Sequence, residues 1–289
     1  MSGESRAILC TNCRKLISSE EAVCPHCGAR RPGALAGPLQ QLFRGEIELT
    51  DVIVGISAVI YGITILVDVR AAFDLSQLTG IFGLLNLGSP SARALYLFGM
   101  TGGVAWNCGH LWTALTATFL HGSLLHIFFN LSWLRMLGPF VSRELGPGRF
   151  LALYLVTGVG GFLASNLWNN VPTIGASCAI FGLMGALIAY GRRRGGTFGQ
   201  NLSQQVTAWA IAGFLISFAI PQVNNVGHAG GFITGFAMAY LFPLRSTEGR
   251  GIQLLAVGLS LLTVIGFGLS MVLMWETFQS GLVLCMPLF

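Results

Sequence analysis

Residues 173–185 read TIGASCAIFGLMG, an almost entirely apolar stretch in which a single serine, Ser177, stands among small residues. Two interpretations are open at this point. Small residues let membrane helices approach one another closely, so the stretch fits a helix contact. A serine in this setting also fits a buried nucleophile, and the rest of the chain must decide between the two.

The composition of the chain is that of an integral membrane protein. It has 289 residues, of which 53% are hydrophobic and only 9% charged, with a mean hydropathy of +0.70. Soluble domains carry about 25% charged residues. The net charge of +5 comes mainly from arginine clusters. We interpret these clusters as residues that determine membrane topology and contact the lipid bilayer, and we expect no nucleic-acid partner. The polar, cysteine-rich N-terminus predicts no cleavable signal peptide.

Seven apolar segments approach the ~20 residues that a membrane-spanning helix needs. The arginine clusters fall on one side of the membrane if the N-terminus is inside, as the positive-inside rule requires. Residues 71–112 then form a long outer loop, and the protein is expected in the cell (inner) membrane. The predicted spans are 52–70, 115–137, 149–166, 174–191, 205–220, 227–243 and 252–275.

Four cysteines lie in two C-x-x-C pairs, CTNC and CPHC, separated by ten residues. This arrangement is typical of a zinc ribbon, in which two short turns direct four thiolates at one tetrahedral metal. The predicted ligands are Cys10, Cys13, Cys24 and Cys27, with room only for a tiny hairpin between the pairs. Two disulfides or a rubredoxin-like iron site are the alternatives. Such modules dock partners, so a cytosolic protein partner of the zinc ribbon is possible.

The predicted fold class is therefore an all-α polytopic membrane protein with a small N-terminal zinc ribbon. Composition shifts divide the chain into four parts. Proline and glycine mark the linker between the polar and the apolar part. The parts are the zinc ribbon at 1–31, the linker at 32–50, the membrane domain at 51–245, and an extra C-terminal span and tail at 246–289.

Polar side chains inside predicted spans are costly and mark function by default. His126 and Asn130 are four residues apart and share one helix face. His121 lies off that face and is expected to brace the helix entrance. The alternative for His126 and Asn130 is interhelical hydrogen bonding that only holds helices together. His228 lies in a stripe of glycines spaced four residues apart, which allows close helix contact.

The predicted sidedness places Ser177, His228, His126 and Asn130 at similar depth below the outer surface. A neutral imidazole can take the serine proton, and nearby N–H groups can stabilise an oxyanion. Phe181 follows Ser177 by one helical turn, so its ring can support His228. Since no acidic residue lies within the predicted spans near these groups, a Ser–His dyad is the economical interpretation.

Three stretches carry a resemblance to a known family: LHGSLLHIFFN (120–130), GASCAIFGLMGA (175–186) and GHAGGFITG (227–235). The chain resembles the rhomboid family of intramembrane serine proteases over residues 50–245. The resemblance implies a rhomboid-like six-helix core, and the seventh C-terminal span resembles the extra helix of six-plus-one members.

The resemblance implies roles for individual residues. Ser177 matches the nucleophile and His228 the general base, and His126, Asn130 and the Ser177 N–H match the oxyanion hole. The supporting residues implied are Phe181 beside the base, a structural histidine at His121, and at Gly175 the glycine that keeps space beside the serine. The family cleaves transmembrane segments, so single-span membrane-protein substrates are implied, with no metal or cofactor in catalysis.

The chain departs from the family pattern at several positions. Thr113 follows Trp112 where many members have arginine, so the outer loop must be anchored differently. Cys178 follows the nucleophile position where glycine is common, which places a side chain near the site. Cys108 and Cys285 can pair or stay free.

Two other functions remain open at this stage. A catalytically silent rhomboid relative would bind membrane-protein clients without cleaving them, although such relatives usually lack the serine or the histidine. A transporter or channel would need polar residues through the full membrane depth. Clustering in the outer half argues against the transporter.

Overall fold

The computed structural model describes residues 7–10, 15–18, 21–28, 48–74, 83–242 and 250–280. Within these ranges the chain is an all-α polytopic membrane protein built from seven long helices. They are α1 (Leu49–Val67), α2 (Leu124–Leu145), α3 (Pro147–Trp168), α4 (Ser177–Arg194), α5 (Gly196–Phe218), α6 (Asn225–Leu241) and α7 (Arg250–Ser280).

Four helices of the described ranges are long and apolar enough to cross a membrane by length and composition: α1, α2, α3 and α7. Helix α6 has 17 residues, and α4 ends in three arginines. Each of the seven predicted spans overlaps a helix, but spanning by α4, α5 and α6 stays a prediction.

The second helix differs from its prediction. The sequence suggested a span over 115–137, whereas α2 begins at Leu124. The preceding residues form a short helix, Thr113–Thr116, and a 3₁₀ turn, Ala117–Phe119. The helix starts late because the Ser123 side chain caps it by accepting the His126 N–H.

Two turns that contain glycine determine where the central helices end and begin. Helix α2 ends at Gly146, whose φ of +103° suits only glycine, and Pro147 opens α3 at a position where its missing N–H costs nothing. Gly195 and Gly196 end α4 in the same way, with φ of +66° and +64°. Helix α5 therefore begins at Gly196, nine residues before the predicted span.

Helix α4 lies at the centre of the bundle, and its residues 178–191 are all buried. The predicted glycine stripe is confirmed as a contact surface between α6 and α4. A Cβ on Gly231 would collide with the carbonyl of Cys178, and one on Gly235 with the carbonyl of Gly182. This backbone-to-backbone approach fixes the position of α6 on α4.

The outer loop between α1 and α2 contains short helices at Ala92–Leu97 and Val104–Asn107. Cys108 is disulfide-bonded, which settles its state. His110 is buried against the ring of Trp112, at 4.7 Å between centroids, and this burial lowers the pKa of His110.

Near the N-terminus, strand β1 (Ala7–Leu9) pairs antiparallel with β2 (Leu16–Ser18). A tiny hairpin was expected between the two cysteine pairs, whereas β1 precedes Cys10 and only β2 lies between the pairs in the sequence. Cys10 therefore follows β1 directly.

Candidate active site

Ser177 is the first residue of α4, and the segment before it is held by backbone hydrogen bonds. The Gly175 N–H donates to the Ala117 carbonyl over 2.9 Å, and the Thr173 N–H donates to the Thr101 carbonyl over 2.8 Å. Gly175 has a φ of +122°, a conformation that side chains rarely adopt. The chain therefore reaches Ser177 through a turn that depends on glycine.

The start of α4 offers hydrogen-bond donors around Ser177. The first helical bond of α4 runs from the Ile180 N–H to the Ala176 carbonyl. The N–H of Ser177 precedes it and has no acceptor within the helix. Helix N-termini carry a partial positive charge that stabilises negative oxygen atoms. An anion that forms at Ser177 Oγ is stabilised by this geometry.

His126 faces the same point from α2. Its Nδ1 accepts the Gly122 N–H over 3.2 Å, so in the neutral ring Nε2 carries the proton. A Cβ built on Gly175 would lie 2.7 Å from His126 Nε2 and 3.7 Å from Ser177 Oγ. The imidazole donor and the serine oxygen thus both lie beside the bare backbone of Gly175.

Asn130 is buried one turn further along α2. Its Nδ2 donates to the His126 carbonyl over 2.8 Å, and its Oδ1 has no hydrogen-bond partner in the described part of the chain. An amide nitrogen carries two N–H protons, so the second one can donate to a group outside the helix. His121 lies before α2 with its ring edge-on to His126, at 5.2 Å between centroids.

His228 enters from the first turn of α6 and is buried. Its ring stacks on Phe181 of α4, with centroids 4.4 Å apart and planes inclined by 21°. Its Nδ1 has no hydrogen-bond partner among the described residues. The fold thus brings the side chains of α2, α4 and α6 together at one end of the bundle.

Sequence reasoning missed Asn224, which connects three parts of this site. Its Oδ1 caps α6 by accepting the Gly227 N–H over 3.0 Å. Its Nδ2 donates to Ser165 Oγ of α3 and, over 2.9 Å, to Thr173 Oγ1 in the segment before Ser177. An asparagine just ahead of an apolar helix is a cap signal, but its two distant partners leave no trace in the sequence.

Cys178 fills the space between three helices. A Cβ on Gly161 of α3 or on Gly227 of α6 would lie 3.0 Å or less from an atom of its side chain. The side chain that sequence reasoning placed near the site therefore points into this helix contact, and it is not disulfide-bonded.

A second cluster lies in the N-terminal part. The sulfur atoms of Cys10, Cys24 and Cys27 lie within 4.8 Å of one another, and those of Cys10 and Cys27 are 3.7 Å apart. Cys13, the fourth predicted ligand, lies outside the described residues.

Residues 108–245, just under half of the chain, match the family model described as a Rhomboid domain. The match contains the described segments that carry Ser177, His126, Asn130 and His228. It supports the rhomboid family and is consistent with the all-helical fold.

Curated relatives support the same family. The chain is 33% identical over 183 residues to the rhomboid protease GluP of Bacillus subtilis, covering 63% of this chain and 36% of that protein. It is 29% identical over 174 residues to the rhomboid protease GlpG of Yersinia enterocolitica, covering 59% and 58%. It is also 30% identical over 171 residues to the inactive RHOMBOID-like protein 8 of Arabidopsis thaliana, covering 55% and 48%. The matched part spans about a third to three fifths of these relatives.

Proposed function

We propose that this chain is a rhomboid-type intramembrane serine endopeptidase that cleaves transmembrane segments with a dyad of Ser177 and His228. The observation that carries the proposal is the convergence at Gly175, where Ser177 Oγ and His126 Nε2 lie beside the same bare backbone at a helix N-terminus. Similarity to two proteins named rhomboid proteases supports the reaction class.

The proposed reaction begins when the His228 imidazole takes the proton of the Ser177 hydroxyl. Ser177 Oγ then attacks the substrate carbonyl carbon, and the carbonyl oxygen becomes an oxyanion. The protonated His228 gives its proton to the leaving amine as the peptide bond breaks. Water then hydrolyses the acyl-enzyme, with His228 again as the base.

Three donors are assigned to the oxyanion: the Ser177 N–H, the His126 Nε2–H and the second Asn130 amide proton. The Gly122 N–H fixes His126 in the tautomer that can donate. Two of these donors lie on α2 and one on α4, and donors positioned before the reaction are what makes such a site effective.

In a catalytic triad a carboxylate orients the imidazole. Here we assign the orientation of the His228 ring to its stacking on Phe181. The ring plane of His228 is fixed by Phe181, and its Nδ1 makes no hydrogen bond within the described part. This supports a dyad that works without a third acid.

The substrates assigned to this site are single-span membrane proteins whose helix unwinds locally. A helical carbonyl is hydrogen-bonded and shielded, so it must be freed before attack. The site lies on the outer side if the arginines face the cytosol. We place the protein in the cell (inner) membrane, as the sequence predicts.

The cysteine cluster is proposed as a structural zinc site in a cytosolic ribbon spanning 1–31. In a tetrahedral site with Zn–S bonds of about 2.3 Å, sulfur atoms are about 3.8 Å apart. The observed 3.7 Å between Cys10 and Cys27 fits this geometry. Zinc bound by Cys10, Cys13, Cys24 and Cys27 would hold the small hairpin together and present it to a cytosolic partner.

A second candidate function is a catalytically silent protein that binds membrane-protein clients. The specific observation in its favour is 30% identity to a relative that is named inactive. The presence of both Ser177 and His228 favours the protease.

A fluorophosphonate probe separates the two functions without knowledge of the substrate. The detergent-purified wild type is expected to be labelled, and Ser177→Ala and His228→Ala are expected to lose the label. Ser260→Ala on α7, far along the chain, is the matched serine control and should label like the wild type. A folded wild type that takes no label would favour the silent, client-binding function.

A further inference from the structure

Three arginines end α4, and two of them are used within the protein. Arg193 donates to two carbonyl oxygens at the end of α6. Arg194 pairs with the Glu144 carboxylate at 2.7 Å. These contacts tie α4 to α6 and α2, as basic side chains near helix C-termini often do.

Arg192 differs from its neighbours. Among the described residues it has no carboxylate within 4.0 Å, and its guanidinium lies 5.7 Å from the centre of the Phe236 ring. Its side chain is exposed and lines two adjoining hollows. Within the described ranges, the charge of Arg192 therefore has an aromatic partner but no anionic one.

The first hollow is lined by polar side chains and glycines and has a volume of roughly 320 Å³. Arg192, Gln200, Ser203 and Gln204 line it together with glycines of the turn between α4 and α5. No acidic side chain is among the lining residues. A guanidinium, amide groups and a hydroxyl together offer hydrogen-bond donors around one positive charge, which is the chemistry of an anion site.

The second hollow is an apolar groove of roughly 460 Å³ between α5 and α6. Ala210 and Phe214 line it from α5, and Phe232 and Phe236 from α6. The lining residues of α5 extend over about two turns, or ~10 Å along the helix. Arg192 belongs to both hollows, so the apolar groove begins where the polar hollow ends.

We propose that these hollows form one binding site for an anionic phospholipid. The phosphate is held by Arg192 with the amides of Gln200 and Gln204, and one acyl chain lies in the groove between α5 and α6. The arginine triplet faces the cytosol under the positive-inside rule, where anionic headgroups concentrate. Charge at one end and an apolar groove at the other match the two parts of such a lipid.

The far end of the groove connects this lipid to the candidate active site. Phe214 contacts Phe181 at 4.5 Å and His228 at 6.4 Å between ring centroids. An acyl chain against Phe214 therefore packs on the aromatic cluster that holds the imidazole. The binding itself does not depend on catalysis, so it can be measured on an inactive chain.

The test uses the full-length Ser177→Ala chain, delipidated in detergent, in native mass spectrometry. Phosphatidylglycerol should bind at least about tenfold more tightly than phosphatidylcholine with the same acyl chains, because the choline cation offsets the phosphate charge and is repelled by Arg192. Adding Arg192→Gln should remove that preference. Arg194→Gln, which removes the same charge two residues away, should retain it.

Two further arms test the site on folded protein. Ala237→Trp, which fills the apolar groove, should weaken phosphatidylglycerol binding, and Gln200→Leu should weaken it at the polar end. Unchanged selectivity in Arg192→Gln would overturn the proposal. So would equal binding of glycerophosphoglycerol, which would make the hollow a site for free anions. Displacement of the lipid by a transmembrane peptide, one for one, would make the groove a helix site and also overturn it.

Discussion

The indole Nε1–H of Trp112 donates a hydrogen bond to Ser270 Oγ over 3.0 Å, joining the outer loop to α7. The hydroxyl of Thr113, the next residue, donates to the His110 carbonyl over 2.6 Å and lies 3.1 Å from Thr101 Oγ1. At Trp112 and Thr113 the outer loop is therefore held by the C-terminal helix and by short local bonds.

Ser270→Ala should loosen this anchor. The substitution leaves the Trp112 N–H without its partner, which costs about 1–3 kcal/mol for a buried group. We expect a lower unfolding midpoint in detergent and faster proteolysis in residues 83–112. Ser260→Ala is the matched control, because among the described residues Ser260 Oγ bonds to the Ala256 carbonyl alone, within α7. Equal stability of the two variants would contradict an anchoring role for α7.

Gly175→Ala should reduce the reactivity of Ser177 more than it reduces stability. A side chain at a φ of +122° costs about 1–3 kcal/mol. Its Cβ would lie 2.7 Å from His126 Nε2, so the donor must move away. Losing one such donor lowers turnover by about 10²–10³. Fluorophosphonate labelling rates and unfolding midpoints measure the two effects.

Gly196→Ala is the control for backbone strain alone. Gly196 also has a positive φ, +64°, but no atom lies within 4 Å of its added Cβ. It should lose stability and keep its labelling rate. If Gly175→Ala labelled as fast as Gly196→Ala, the contact between Gly175 and His126 would have no part in the reaction.

Local sequence patterns were enough to place the candidate site residues on α2, α4 and α6. Apolar segments located the helices, and the glycine stripe located the contact between α6 and α4. The start of α2 was wrong because residues 115–120 are as apolar as a span, whereas the break depends on the capping geometry of Ser123. The early start of α5 was missed because its first turns are polar and so fall outside a hydropathy segment.

The connections between distant residues could not be predicted. Trp112 and Ser270 are 158 positions apart, and Asn224 bonds to residues 59 and 51 positions away. Each residue has an ordinary local explanation as a loop or cap residue. Only the packing of α3, α6 and α7 brings the partners together.

Asn224→Asp should slow the proposed reaction by misplacing His228. Aspartate can still cap α6, but it cannot donate to Ser165 or Thr173. We expect turnover to fall by about tenfold, from a misplaced base, with little change in KM. Asn225→Asp is the matched control, because in the described part of the chain the Asn225 side chain bonds through its Oδ1 alone, which accepts from Ser217 Oγ. Parallel loss in both variants would show a general effect of added charge.

Asn130→Ala should lower turnover by about 10²–10³ if its amide donates to the oxyanion. Cleavage of a reconstituted single-span substrate gives the rate. Asn201→Ala, on the exposed face of α5, is the matched control for any loss of rate that does not come from the site. A rate equal to that of the wild type would contradict a role for Asn130 in the oxyanion hole. Its side chain would then serve only to bond the His126 carbonyl within α2.

Removal of the metal tests the cysteine cluster. The purified chain should contain about one zinc per molecule, since four thiolates complete one tetrahedral site. Cys10→Ser should remove it, because Cys10 lies 3.7 Å from Cys27 in the cluster. Cys178→Ser, a buried thiol in the helix bundle, should keep the metal and serves as the matched control. Elemental analysis after gel filtration gives both values. Zinc retained by Cys10→Ser, or iron in its place, would contradict a zinc ribbon built on these thiolates.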